Sequence, residues 1–134
     1  MYPGLTGKLE MAVREEDLAG RLGDAKINVL STPRLIQLLE AATIEAIKGF
    51  LSPDQISLGT RVKILHLAPT PLGMRVTAHA VLKEVDSRRL LFEIDAYDEI
   101  EKIAEGEHER IIVSGEWFLQ RIDKKKRERG REIP

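Results

Sequence analysis

The sequence predicts one α+β domain: a single long central helix wrapped by a curved antiparallel sheet. Three observations carry this. One segment, Thr32–Phe50, is helical in pattern and apolar around more than half its circumference. An alternating run precedes it, and several alternating runs follow it. Those later runs are separated by short turn signals, the order of an antiparallel meander. At 134 residues the chain fits one domain and can hold a core without staples. The reading assigns residues 1–123 to that domain and 124–134 to a basic C-terminal tail.

Lys8–Val13 alternates, with Leu9, Met11 and Val13 on one side, and reads as the first strand. Arg14–Leu30 is mixed, with Gly20 and Gly23, and reads as loop with room for a short turn of helix. Thr32 supplies an N-cap. Pro33 suits the first helical position, where its missing N–H would have had no partner anyway. Leu35, Ile36, Leu38, Leu39, Ala42, Ala46, Ile47 and Phe50 form the apolar set, and Gly49 with Ser52-Pro53 ends the helix. Thr60–Leu67 sets Val62, Ile64 and His66 on one face. Met74–Val85 sets Met74, Val76, Ala78, Ala80 and Leu82 on one face, and Asp86-Ser87-Arg88 turns the chain. Leu90–Tyr97 points Leu90, Phe92, Ile94 and Ala96 inward. After a second turn at Asp98–Lys102, Ile103–Val113 is the last long strand, and Trp117–Ile122 extends it or adds an edge. Lys124–Arg131 is a charge run. It reads either as a solvated, frayed tail or as a basic contact for a phosphate-bearing ligand or nucleic acid.

Composition removes several function classes. There is no cysteine, which excludes a disulfide framework, a thiol nucleophile and Cys-ligated zinc. The net charge of −1 is not that of a protein built to attract polyanions. Met1–Gly7 has neither a basic nor an apolar leader region, and no stretch approaches the roughly 20 apolar residues of a membrane span. The expectation is a cytoplasmic protein without a membrane or nucleic-acid partner. The last fourteen residues, 121–134, hold no aromatic side chain on which a base could stack. A Gly-rich phosphate loop, H-E-x-x-H and G-x-S-x-G are all missing. Three scattered histidines imply no metal site, and no cofactor is expected.

Glu40 is the first residue that could carry chemistry. At about 100° per residue its angular neighbours on the helix are Ile36, Ile44 and Ile47, away from the polar side marked by Arg34, Gln37, Glu45 and Lys48. It is either a boundary residue that reaches water or a partly desolvated carboxylate, raised in pKa and suited to general-base work. His66 continues the inward Val62–Ile64 face. It is either a rim histidine satisfied by a backbone carbonyl or a proton carrier. His79 falls on a polar strand face and reads as exposed. In Gly106-Glu107-His108-Glu109-Arg110 the inward positions are Gly106, His108 and Arg110, which calls for a ligand, a partner chain or a salt bridge. Thr32 caps the helix, but a hydroxyl there can also face a ligand at the positive end of the helix dipole. Gly59, in Ser57-Leu58-Gly59-Thr60, permits close backbone approach, so its neighbourhood could offer N–H donors.

These pieces share a pattern. Val29-Leu30-Ser31-Thr32, Glu40 eight residues on, Ser57-Leu58-Gly59-Thr60, His66, Pro71-Leu72-Gly73 and Gly106-x-His108-Glu109-Arg110 together resemble the hot-dog fold thioesterases of the fluoroacetyl-CoA thioesterase-like family. The resemblance runs from about Val29 to Val113. It implies the hot-dog fold and hydrolysis of a small acyl-CoA thioester to free acid and CoA at a site between two subunits of a homodimer, or of a higher oligomer of dimers. It puts the family's catalytic threonine, glutamate and histidine on Thr32, Glu40 and His66. Its active-site glycine falls on Gly59, and its strand arginine, a substrate-binding residue, on Arg110. Water, or Thr32 itself, would attack the thioester carbonyl, with Glu40 and His66 as base and acid or as the groups that orient the attacker. The chain departs from the family at the aromatic lid that fluoroacetyl-selective members carry before the threonine: Glu15–Leu30 holds no aromatic residue. The alternative reading is a hot-dog module that binds or senses acyl-CoA without turnover, and it predicts binding with no thiol release.

Overall fold

The computed structural model describes residues 1–22 and 27–129. Gly23 and Arg131, which entered the loop and charge-run readings above, lie outside them. Strand β1 (Thr6–Ala12) is followed by two short 3-10 turns at Glu15–Asp17 and Ala19–Leu22, then helix α1 (Thr32–Ile47). Strands β2 (Gln55–His66), β3 (Arg75–Asp86), β4 (Arg89–Tyr97) and β5 (Lys102–Ser114) come next, and helix α2 (Gly115–Glu128) closes the order. The five strands form one antiparallel sheet in the order β1-β3-β4-β5-β2, so β1 and β2 are its edges.

The inward faces read from the alternation are the buried ones. Val76, Ala78, Ala80 and Leu82 of β3 and Leu90, Phe92, Ile94 and Ala96 of β4 pack with Leu35, Leu38, Leu39, Ala42, Ala46 and Ile47 of α1. Burying side chains of this size contributes about 1.5–3 kcal/mol each. Small residues bring the helix close to the sheet: a Cβ on Gly7 of β1 would collide with the Ala42 carbonyl of α1. The helix therefore lies against the β1–β3 side of the sheet. Its opposite flank faces β2 and stays open, with Ile44 exposed there.

Several boundaries differ from expectation, each for a local reason. The cap of α1 is Ser31, whose Oγ accepts from Arg34 N–H at 3.2 Å; Thr32 is the first helical residue and Pro33 the second. The helix stops at Ile47 rather than Phe50, because Gly49 takes a left-handed φ of 87°. Strand β2 begins at Gln55 rather than Thr60, since Ser57 and Gly59 already pair with Ile112 and Arg110 of β5. A bulge at Thr60 shifts the register there. The segment expected as an edge strand, Trp117–Ile122, is instead part of α2, capped by Ser114 Oγ, which accepts from Trp117 N–H at 3.2 Å. The charge run is not frayed in its first half either, for Lys124–Glu128 continues that helix, and residue 123 falls inside it. Among the described residues no helix is long and apolar enough to cross a membrane.

Candidate active site

Two polar clusters flank the open side of α1, and the five residues picked from the sequence divide between them. The first cluster is Thr32 and His66. The segment before α1 is stitched to the loop after β2: Leu30 N–H donates to the Thr70 carbonyl at 2.8 Å, and Val29 bridges Pro71. That brings the first residue of the helix to the last residue of β2. Because Ser31 does the capping, the Thr32 hydroxyl is left to meet His66 Nδ1 at 2.7 Å. Thr32 is exposed and His66 half-buried. Burial pushes the His66 imidazole below the ordinary histidine range, and the nearby backbone of Ala68 opposes the shift. A neutral ring at neutral pH follows. The other ring nitrogen, Nε2, is buried without a hydrogen-bond partner among the described residues. A groove of about 440 Å³ opens beside this pair, with walls from Ile27, Val29, Leu67 and Pro69.

Asp17 braces the first cluster and escaped the sequence reading. It is a buried acid in a loop segment. Its carboxylate accepts from Arg34 Nε and from Arg14 N–H, both at 2.9 Å, and its carbonyl accepts from Ser31 N–H at 2.9 Å. The pre-helix loop is thereby clamped to the start of α1. No periodicity marks such a residue; only the run of acids at Glu15-Glu16-Asp17 hinted at an end-of-helix partner.

The second cluster gathers Glu40, Gly59, His108, Arg110 and Ser57. Glu40 lies two turns further along α1. Its side chain is 38 % exposed, with Ile44 open beside it and Ile47 buried, so in the single chain it is a rim carboxylate and not one sealed among isoleucines. Its Oε2 lies 4.0 Å from Arg110 Nη1 and 3.9 Å from His108 Nε2. Gly59 fits between: a Cβ there would come within 3.0 Å of the His108 ring and 3.3 Å of Glu40 Oε2. The buried Arg110 guanidinium donates from Nε to Ser57 Oγ and from Nη2 to the Ser57 carbonyl, each at 3.0 Å. Burial lowers the Arg110 pKa and Glu40 opposes the shift, but guanidinium remains charged. The sequence reading names Ser57 only within Ser57-Leu58-Gly59-Thr60; the signal for its contact is its place one alternation from Gly59, on the strand that pairs with Arg110.

The two clusters do not meet within one chain. Thr32 and Glu40 are eight residues apart on a rigid helix, about 12 Å of rise. His66 and Gly59 are seven residues apart on β2, about 20 Å at extended-strand spacing. His79 takes no part; it contacts Asp95 at 3.1 Å and stands edge-on to Tyr97. Among the described residues no group of three or more His, Cys, Asp or Glu is placed to hold a metal ion.

Comparison with known proteins identifies the family and the fold. Residues 13–116 match the family described as fluoroacetyl-CoA-specific thioesterase. The chain is 36% identical over 97 residues to the fluoroacetyl-CoA thioesterase of Streptantibioticus cattleyicolor, covering 72% of this chain and 70% of that protein. A threonine-to-serine variant of a fluoroacetyl-CoA thioesterase, solved in complex with acetyl-CoA, superposes with a TM-score of 0.87 at 30% identity, covering 93% of this chain and 98% of that one. A hot-dog-like protein from Thermanaerovibrio acidaminovorans shares the fold, with a TM-score of 0.85 at 24% identity over 92% of this chain and 91% of its own. The sheet curled about α1 is thus a hot-dog fold, and the chain belongs to the fluoroacetyl-CoA-specific thioesterase family.

Proposed function

We propose that this chain, a thioester hydrolase by family, hydrolyses a small acyl-CoA at sites completed by two copies of itself. The observation that carries the reading is the separation of the two clusters along one uncovered sheet edge. Among the described residues strand β2 has no neighbour on its outer side, and Leu65 on it and Leu67 and Ile44 beside it are exposed. An open edge of this kind favours pairing with another strand. A two-fold axis near Val62 and Lys63 would set His66 of one copy opposite Gly59 of the other, since these residues are equidistant from that point. Each site would then hold Thr32 and His66 from one copy and Glu40, Gly59 and Arg110 from the second. A neighbouring chain would also shield Glu40 from water.

In such a site His66 Nδ1 accepts a proton from the Thr32 hydroxyl, or from a water that the hydroxyl holds. The activated oxygen attacks the thioester carbonyl, and the C–S bond breaks to release CoA as its thiol. By the direct route water supplies the acid's new oxygen; by the covalent route water later cleaves an acyl-Thr32 ester. The positive end of the α1 dipole lies at Thr32, where it favours the developing oxyanion. Glu40 orients the attacking group or the water from across the interface, and Arg110 and the backbone near Gly59 bind the acyl-CoA. Protein quenched during turnover and freed of acyl-CoA yields an acyl hydroxamate with hydroxylamine only on the covalent route.

Subunit complementation tests the shared site. Thr32→Ala and Glu40→Ala are each expected to abolish most thiol release from acyl-CoA. Mixed and reassorted, about half the dimers pair unlike chains and each such dimer holds one intact site, so about a quarter of the parent activity returns. If both variants are dimeric and the mixture stays inactive, each site lies within one chain and the shared-site reading fails.

A further inference from the structure

His108 is among the most deeply buried side chains, only 1% exposed, and the reaction outlined above gives it no task. Its surroundings fix its protonation. Nδ1 lies 2.8 Å from the carbonyl of Arg61, which can only accept, so Nδ1 carries the ring proton. Nε2 is then an acceptor, and Arg110 Nη1 donates to it at 3.0 Å. A guanidinium with two contacts to Ser57 thus gains a third fixed partner from its own strand, two residues away. Of the five N–H bonds of Arg110, three are held by protein acceptors. The two left over, one on each Nη, can point only where Ser57 and His108 allow.

The geometry points to His108 as a positioning residue that, neutral and protonated on Nδ1, aims the free N–H groups of Arg110 into the space shared by Glu40 and Gly59. The groups around the ring fit the role. Arg110 faces it from β5 and Glu40 from α1, at 3.0 and 3.9 Å; β2 presents the Arg61 carbonyl and Val62, and β4 presents Phe92. A proton on Nε2 would end the bond from Arg110 and put two cations in contact. The ring would then turn its charge to Glu40, and Arg110 would lose its aim. Burial and Arg110 both oppose that proton, Glu40 and the Arg61 carbonyl favour it, and the balance lowers the pKa.

The kinetic consequence rests on the thioesterase reading; the tautomer does not. In the 15N-labelled protein at pH 7, the ring signals lost in His108→Gln are expected to be those of a neutral imidazole with its proton on Nδ1. A proton on Nε2, or an imidazolium, overturns the assignment. In thiol-release assays His108→Leu is expected to raise KM for acyl-CoA about tenfold or more, while His108→Gln, whose amide oxygen can accept from Arg110, stays within about threefold. Adding Arg110→Lys to His108→Leu costs little beyond the worse single change, because the two act as one unit. The parent's KM climbs as pH falls below the ordinary histidine range. His108→Gln flattens that climb, which separates it from the titration of His66. Equal KM in the parent, Leu and Gln proteins overturns the positioning role, as does full additivity. If His108→Leu does not fold, the Gln variant and the ring spectrum still decide. If the parent turns over no acyl-CoA, the thioesterase reading falls, and the spectrum alone upholds or overturns the His108–Arg110 arrangement.

Discussion

Ser31 and Thr32 are adjacent hydroxyl residues before a proline, and the residue that caps α1 is Ser31, not the Thr32 that the sequence reading chose. The choice matters, because only the residue that does not cap is free to meet His66. Thr32→Ser is expected to keep much of the activity and Thr32→Ala little, with equal melting temperatures for both in a thermal scan. Gly59 is a stricter position. Its missing Cβ leaves room for the Glu40 carboxylate and the His108 ring, so Gly59→Ala forces one of them aside by a few tenths of an ångström. Misplacement on that scale is expected to lower kcat/KM about tenfold while the melting temperature moves only slightly. The two lowered histidines also set a pH dependence of stability. His66 and His108 bind fewer protons folded than unfolded once pH drops below the unfolded value of about 6.5, so stability falls as pH is lowered from there. Melting curves between pH 7 and 5 check the sign. Thr32, Glu40, His66, Gly59 and Arg110 could be proposed from the linear chain because the spacing that suggests them is written there. Asp17 and the Ser57 contact were not, since each depends on a partner that only folding brings near.

At the scale of elements, the strands were read from alternation because one face of the sheet is dry and the other wet, and β3 and β4 follow that rule along most of their length. Helix α2 defeated the same method. Trp117-Phe118-Leu119 looks like a short strand, yet Ser114 caps the backbone and the following Lys-rich turns favour helix. No residue of α2 is buried, so tertiary packing gives it little support. Removing residues 117–134 is accordingly expected to lower the melting temperature by no more than a few degrees; a collapse of the fold would show that α2 is structural. Helix α1 is the opposite case. Ser31→Ala removes its cap at a cost of about 1 kcal/mol, and it invites Thr32 to take over the capping contact. Thiol release should therefore fall further than the lost stability explains, which parallel assays and melts on one preparation would reveal.

For the whole molecule, the decisive feature is the unpaired edge at β2. Leu65 is 62 % exposed there, near the apolar Leu67. Leu65→Asp is expected to shift the solution mass to that of one chain and to abolish thiol release, with the far-ultraviolet spectrum unchanged. A parent already monomeric at micromolar concentration would remove the basis for a shared site. Helix α1 carries Thr32 at its start and Glu40 two turns later, and the contact of Gly7 with Ala42 fixes the rod to the sheet. In a paired molecule the start and the middle of one rod serve different sites. A ligand that nudges Thr32 in one site must then tug Glu40 in the other, so the sites answer to each other mechanically. The expected sign of this coupling is half-of-the-sites behaviour: a non-hydrolysable acyl-CoA analogue, titrated calorimetrically, should bind its first equivalent per dimer more tightly than its second.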